Sequence, residues 1–157
     1  MNWVMIAFSL PTESTTVGMR IGRALKTAGA ASLRDGVYLL PDQAGHYKKL
    51  SQVADEVLKA GGEAHVFRTS DSVSNDFSLL FDRSQDYEAL IFDVSNLPSQ
   101  LPGSVLRTIK EVHKLRNRYL RISQIDFFPG ALQEQADSAL RVLETTVNEA
   151  LSASVKT

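Results

Sequence analysis

The sequence predicts an α+β fold, in which an antiparallel sheet with its helices comes first and a helical half follows. Three observations predict it. Two apolar runs, residues 3–10 and 37–40, are each followed by a proline, which is typical of strands. Asp35 and Gly36 precede the second run and favour a tight hairpin, because glycine tolerates positive φ and aspartate bonds its own backbone. Beyond residue 70, apolar residues recur mainly at helical spacing.

In chain order, the first part reads βαββαβ, and glycines after each helical pattern act as stop signals. The predicted elements are a strand at 2–10, a helix carrying Val17, Ile21, Ala24, Leu25 and Ala28, the hairpin at 31–40, a helix carrying Tyr47, Leu50, Val53, Ala54, Val57 and Leu58, and a short strand at 64–67. Because the hairpin makes the middle pair antiparallel, this order corresponds to the ferredoxin-like, split-βαβ arrangement: one antiparallel sheet with two helices on one face.

The C-terminal half reads as helical. Residues 87–97 fit a strand or a helix, and we favour the helix because Asp86 and Glu88 suit a helix start. Pro98 and Pro102 predict a break after it. The other predicted helices are one carrying Phe77, Leu80 and Phe81 after the cap Ser74-Asn75-Asp76, a long one at 103–123, and a last one opened by Pro129-Gly130.

Length and composition narrow the class of protein. With 157 residues, we expect a single domain, 1–157, in which a ferredoxin-like part at 1–70 carries a helical half at 74–155 packed on it. The absence of cysteine excludes disulfides, thiolate zinc sites and cysteine nucleophiles, and it suits a cytoplasmic location. The N-terminal apolar run is too short for a membrane span and lacks the basic residues of a signal peptide, so we expect no membrane association.

The residues that catalysis needs are sparse. His46, His65 and His113 are far apart, and no pair has the spacing of a helical metal site. The sequence contains no phosphate-binding loop, no GxGxxG motif and no nucleophile-elbow serine. We therefore predict a protein that is not an enzyme, with no catalytic residues, no metal site and no cofactor.

Basic residues are more informative, and five of them fall on one face of the predicted helix at 103–123. Their spacing of 3, 4, 4 and 3 residues places them within a sector of about 80°. They are Arg107, Lys110, Lys114, Arg118 and Arg121. Because the net charge is only −1, affinity for anions has to come from local clusters. Such a face can follow a phosphate backbone; the alternative is a solvated face that pairs with acidic groups of the same protein or of a partner.

Arg116 differs from these five residues because it falls in the middle of the apolar face of the same helix. An unpaired buried charge is very costly, so a guanidinium there needs a carboxylate partner. We predict burial with Asp82 or Asp126 as that partner.

The first predicted helix repeats the pattern more weakly. Arg20, Arg23 and Lys26 lie away from its apolar face, either as nucleic-acid contacts or as ordinary solubilising charge. Met19 lies among them, and an apolar residue on a polar face suggests contact with a partner. Arg34 adds a cation at the tip of the hairpin.

Six motifs along the chain resemble those of the N-terminal domain of the ChrB-type chromate-resistance regulator family. They are Phe8-Ser9-Leu10-Pro11-Thr12-Glu13, Met19-Arg20-x-x-Arg23-Ala24-Leu25-Lys26, Leu33-Arg34-Asp35-Gly36-Val37-Tyr38-Leu39-Leu40-Pro41, Gly61-Gly62-Glu63-Ala64, Phe81-Asp82-Arg83-Ser84-x-x-Tyr87 and Ile125-Asp126-Phe127-Phe128-Pro129-Gly130. The resemblance implies a bacterial cytoplasmic protein tied to chromate-responsive transcription. Because such regulators carry a second, C-terminal domain of similar size, it also implies a stand-alone version or a fragment.

Together, the charges and the resemblance predict a non-catalytic regulatory module that binds DNA through the two basic clusters, Arg20, Arg23 and Lys26 on the first helix and the five residues of 107–121. A second hypothesis is a protein–protein module that forms a homodimer through the sheet or the Met19 face, without nucleic acid. A third is direct sensing of chromate, a small dianion that Arg34 and Arg83 could hold together.

Overall fold

The computed structural model describes residues 1–71, 76–100 and 104–156. Its elements are β1 (Asn2–Ser9), α1 (Thr15–Thr27), β2 (Ala31–Arg34), β3 (Val37–Pro41), α2 (His46–Lys59), β4 (Glu63–Ser70), a 3₁₀ helix (Phe77–Phe81), α3 (Ser84–Gln100), α4 (Val105–Gln124) and α5 (Ala131–Lys156). They divide into two compact units, Met1–Phe81 and Asp82–Thr157. The expectation that the whole chain is one domain stays a prediction.

The first unit contains a four-stranded sheet in the order β2-β3-β1-β4. β1 lies inside the sheet and pairs antiparallel with β3 and β4, so that Ile6 faces Tyr38 on one side and Val66 on the other. β2 pairs antiparallel with β3. The α+β prediction and the ferredoxin-like βαββαβ order are therefore confirmed, and β4 is longer than its apolar residues suggested.

The Asp35-Gly36 hairpin joins β2 to β3 as the sequence predicts. Gly36 has a φ of 75°, and its carbonyl oxygen accepts a hydrogen bond of 2.8 Å from the Phe8 amide of β1. A Cβ atom at this position would lie 2.3 Å from the Phe8 carbonyl oxygen. Both the left-handed conformation and the close approach of the neighbouring strand therefore require glycine here.

One face of the sheet packs against α2. Val4 and Ile6 are fully buried on this face. Arg68 of β4 is paired with Val4 in the sheet, and its guanidinium lies 4.2 Å from the centre of the Tyr47 ring at the start of α2. The apolar stripes of the two helices complete this core with Ile21, Leu25, Leu50, Val53, Ala54 and Val57. Each stripe follows the spacing that predicted its helix.

Trp3 lies on the opposite face of the sheet and is fully buried. Its ring stacks on Phe81 with 5.4 Å between centroids and meets the edge of Phe77 at 5.8 Å. Its indole N–H donates to the carboxylate of Asp71, which also lies 3.4 Å from the N-terminal amine. The 3₁₀ helix, which the sequence pattern grouped with the helical half, is thus part of the first unit.

The second unit consists of α3, α4 and α5, whose buried side chains form one core. The helix favoured for residues 87–97 is confirmed, as are the helices after 103 and after Gly130. Two separate helices are present, as the predicted break at Pro98 and Pro102 requires, but the end expected at Leu97 was wrong, since α3 continues through Pro98 to Gln100. A proline keeps a helical φ and costs a helix one hydrogen bond, so it does not have to end it. Pro102, Gly103, Ser74 and Asn75 lie outside the described residues.

None of the helices within the described ranges combines the length and the hydrophobicity needed to cross a bilayer.

Candidate nucleic-acid interface

Helix α4 carries the strongest cluster of positive charge in the sequence. It begins after Ser104, whose hydroxyl accepts a hydrogen bond of 3.4 Å from the Arg107 amide, and such an N-cap stabilises the first turn. Val112 and Ile122 are buried in the core of the second unit. The opposite side of α4 therefore faces solvent, as the sequence pattern predicts.

We call the five cations on this solvent side the basic ridge: Arg107, Lys110, Lys114, Arg118 and Arg121. Lys114 pairs with Glu111 of the same helix at 3.1 Å, and Arg118 pairs with Asp93 of α3 at 2.5 Å. In the part of the chain that the structure describes, the remaining three form no ion pair, and all three are exposed. At about 1.5 Å per residue, the ridge extends over about 21 Å.

The basic residues of α1 lie in the first unit. Arg20 is 3.6 Å from Glu56 of α2, a pairing between exposed groups that contributes little to stability. Arg23 and Lys26 are exposed and have no ion pair within the described ranges. Met19 is 57% exposed, and the two cations follow it at i+4 and i+7. This face of α1 therefore combines an exposed apolar side chain with two cations available to a partner.

The two residues expected to hold an oxyanion lie in different units. Arg34 is exposed at the end of β2, in the first unit. Arg83 is half-buried in the second unit, where its Nε donates a hydrogen bond of 3.2 Å to the Ile125 carbonyl oxygen. A shared oxyanion site between Arg34 and Arg83 stays a prediction.

Arg116 has two acidic partners, as its place on the apolar face requires, but the two proposed carboxylates were wrong. Its guanidinium donates to both oxygens of Glu144, at 2.6 and 3.2 Å, and to Asp137 at 2.7 Å, both on α5. These hydrogen bonds, first of all those to Glu144, raise the pKa of Arg116 against the opposing effect of desolvation. The side chain keeps 22% of its surface exposed, so Arg116 is half-buried at the edge of the core.

We expect Arg116→Ala to destabilise the second unit by about 2 kcal/mol, because it leaves the half-buried Glu144 without its hydrogen-bond donor. This expected loss of stability lies between the cost of breaking a fully buried ion pair and the cost of breaking an exposed one. Urea unfolding followed by circular dichroism measures it. The control is Arg141→Ala, because Arg141 is 75% exposed and pairs with the same Asp137. Equal stability of the two variants would mean that the ion pairs of Arg116 do not stabilise the packing of α4 against α5.

The structure also brings together two family-like motifs, 81–87 and 125–130, which the sequence pattern left unconnected. Residues from both line a cavity of about 300 Å³ in the second unit. Tyr87 is buried beside it and donates a hydrogen bond of 2.8 Å to Asp126. Burial is the largest cause that raises the pKa of Tyr87, and the hydrogen bond to Asp126 raises it further. The motifs were visible in the sequence, but their contact depends on how α3 and α5 pack.

The same cavity is lined by two carboxylates, Asp82 and Asp126. Asp82 accepts hydrogen bonds from the Ser84 hydroxyl and from the Ser84 amide, which lower the pKa of Asp82. The amide and hydroxyl donors of Ser84, at the start of α3, are therefore already occupied by a carboxylate of the protein itself. Two carboxylates beside Arg83 disfavour a dianion here, because like charges repel. Among the described residues, no three His, Cys, Asp or Glu side chains converge as metal ligands would.

Comparisons with a family model and with a known protein point to the same family. The family described as "Protein ChrB, N-terminal" matches residues 19–105 of the chain. The chain is also 30% identical over 154 residues to Protein ChrB of Cupriavidus metallidurans, and this match covers 96% of the chain and 48% of that protein. The chain thus spans about half the length of this relative. No solved structure matches the chain.

Proposed function

The chain belongs to the ChrB N-terminal family, and we therefore propose that it is a non-catalytic regulatory module of chromate resistance that binds duplex DNA in the bacterial cytoplasm. The observation that carries this proposal is the basic ridge. Three of its cations, Arg107, Lys110 and Arg121, are exposed without an ion pair in the described part of the chain. Five cations on one helix face are more than solubility requires.

Because the chain as a whole is nearly neutral, affinity for DNA depends on local clusters of cations. With a net charge of −1, the protein as a whole does not attract a polyanion. Affinity for DNA then depends on a surface where cations follow one another at the spacing of a helix face. Glu111 and Asp93 neutralise part of the ridge on one side, so Lys114 and Arg118 contribute less than the three unpaired cations.

We expect duplex binding to depend steeply on salt, because each neutralised phosphate releases counterions. With three to five contacts, the slope of log K against log salt lies between about −2.7 and −4.5. Alanine at Arg107, Lys110 or Arg121 should reduce this slope by about one contact each. Fluorescence anisotropy with a labelled duplex over a salt series measures it, with Lys48→Ala of α2 as the exposed control. Binding whose salt dependence is the same in all four variants would contradict the proposal.

The second candidate function is homodimerisation without nucleic acid, and the exposed Met19 on α1 favours it. The two functions are separated by running sedimentation velocity beside the anisotropy series. If DNA binds to α1 as well as α4, replacing Arg20, Arg23 or Lys26 by alanine should also change the slope of log K against log salt. A dimerisation module instead gives no duplex binding, and its α1 variants change the sedimentation coefficient.

A further inference from the structure

One uncharged polar side chain lies among the cations of the basic ridge. Asn117 follows Lys114 by three residues and precedes Arg121 by four, so it shares the exposed side of α4 with them. It is exposed, and within the described ranges its side chain makes neither a hydrogen bond nor an ion pair. The amide is thus free for an external partner.

Folding gives little reason for an asparagine at this position. Asparagine is among the poorer formers of helix interiors, because its side chain competes for backbone hydrogen bonds. Asn117 lies well inside a 20-residue helix and caps neither of its ends. The position therefore carries a small cost in helix stability that no hydrogen bond or ion pair of this side chain within the described residues offsets.

Two acidic residues pair with cations of the ridge, and both pairs lie on one of its edges. Glu111 and Asp93 accept from Lys114 and Arg118, on the edge of the ridge that turns towards α3. Asn117 belongs to the other edge, in line with Lys110 and Arg121, which have no acidic partner in the described part of the chain. A polyanion that contacts both Lys110 and Arg121 meets cations before and after the amide of Asn117.

From this arrangement we propose that α4 enters the major groove of the DNA and that Asn117 reads an adenine there. The inference rests on the proposed DNA binding. The carboxamide of asparagine offers one acceptor and one donor side by side, which match N6–H and N7 of adenine. A major groove about 12 Å wide admits an α-helix. At about 3.4 Å per base pair, the ridge of about 21 Å covers about six base pairs. Lys110 and Arg121 then contact phosphates on either side.

The test is selection of duplexes from a randomised pool by the full chain and by Asn117→Ala. We expect the wild type to enrich adenine at one position and the variant to lose this preference there by roughly 5- to 150-fold. Binding of the variant to a duplex of unrelated sequence should stay within about twofold, because the phosphate contacts remain. Asn148→Ala, an exposed asparagine on α5 beside His113, is the matched control and should keep the preference.

The outcomes separate this inference from the function on which it rests. If the wild type binds no duplex, both are overturned. If the wild type binds duplexes and Asn117→Ala retains the same base preference, or if no position is enriched, only the assignment of Asn117 is overturned. Uniform weakening across all sequences would place Asn117 at a phosphate and would also overturn the readout of a base.

Discussion

Reversing two charges of the basic ridge, Lys110→Glu together with Arg121→Glu, should lower the affinity for a DNA duplex by roughly 100-fold or more at physiological salt. The double change removes two phosphate contacts and adds two like charges that repel the backbone. Both side chains are exposed and have no ion pair in the described ranges. The thermal stability should therefore change little, since exposed substitutions of this kind stay within about 0.5 kcal/mol. Anisotropy and thermal unfolding measure the two effects.

The matched control for this prediction is Lys48→Glu together with Lys59→Glu on α2. These lysines are also exposed, and the control changes the net charge by the same amount. A loss of affinity confined to the ridge variant indicates a local contact. An equal loss in both variants would mean that only the overall charge matters, and no loss in either would remove α4 from the interface.

The first unit was predictable because its sequence signals are local. The apolar runs of β1 and β3, the Asp35-Gly36 turn and the helical stripes each act within a few residues, and together they determine the order βαββαβ. The exposed side of α4 was predictable for the same reason. A helix of 3.6 residues per turn assigns residues to faces before any tertiary contact is known.

Contacts that depend on packing between elements were not predictable. The sequence shows that Arg116 needs an acid, but many acids meet that need, and only the pairing of α4 with α5 selects Asp137 and Glu144. The 3₁₀ helix was grouped with the helical half for the same reason. Its contact with Trp3 joins positions more than seventy residues apart, which no local pattern records.

Replacing Trp3 by alanine should destabilise the first unit by about 3–5 kcal/mol, the cost of removing a large aromatic side chain from a core. Trp3 of β1 is fully buried, stacks on Phe81 of the 3₁₀ helix, meets Phe77 edge-on and donates to Asp71. The substitution removes all of these contacts and leaves a cavity on this face of the sheet. Urea unfolding followed by circular dichroism measures the loss.

Phe67→Ala is the matched control for Trp3→Ala, because Phe67 lies on the same face of the sheet in β4 but is 43% exposed. Its loss should cost about 1 kcal/mol, since less apolar surface leaves water on folding. Trp3→Phe keeps an aromatic ring against Phe81 and should cost less than Trp3→Ala, which preserves the comparison if the alanine variant does not fold. Equal stabilities for Trp3→Ala and Phe67→Ala would show that the 3₁₀ helix does not cover this face in solution.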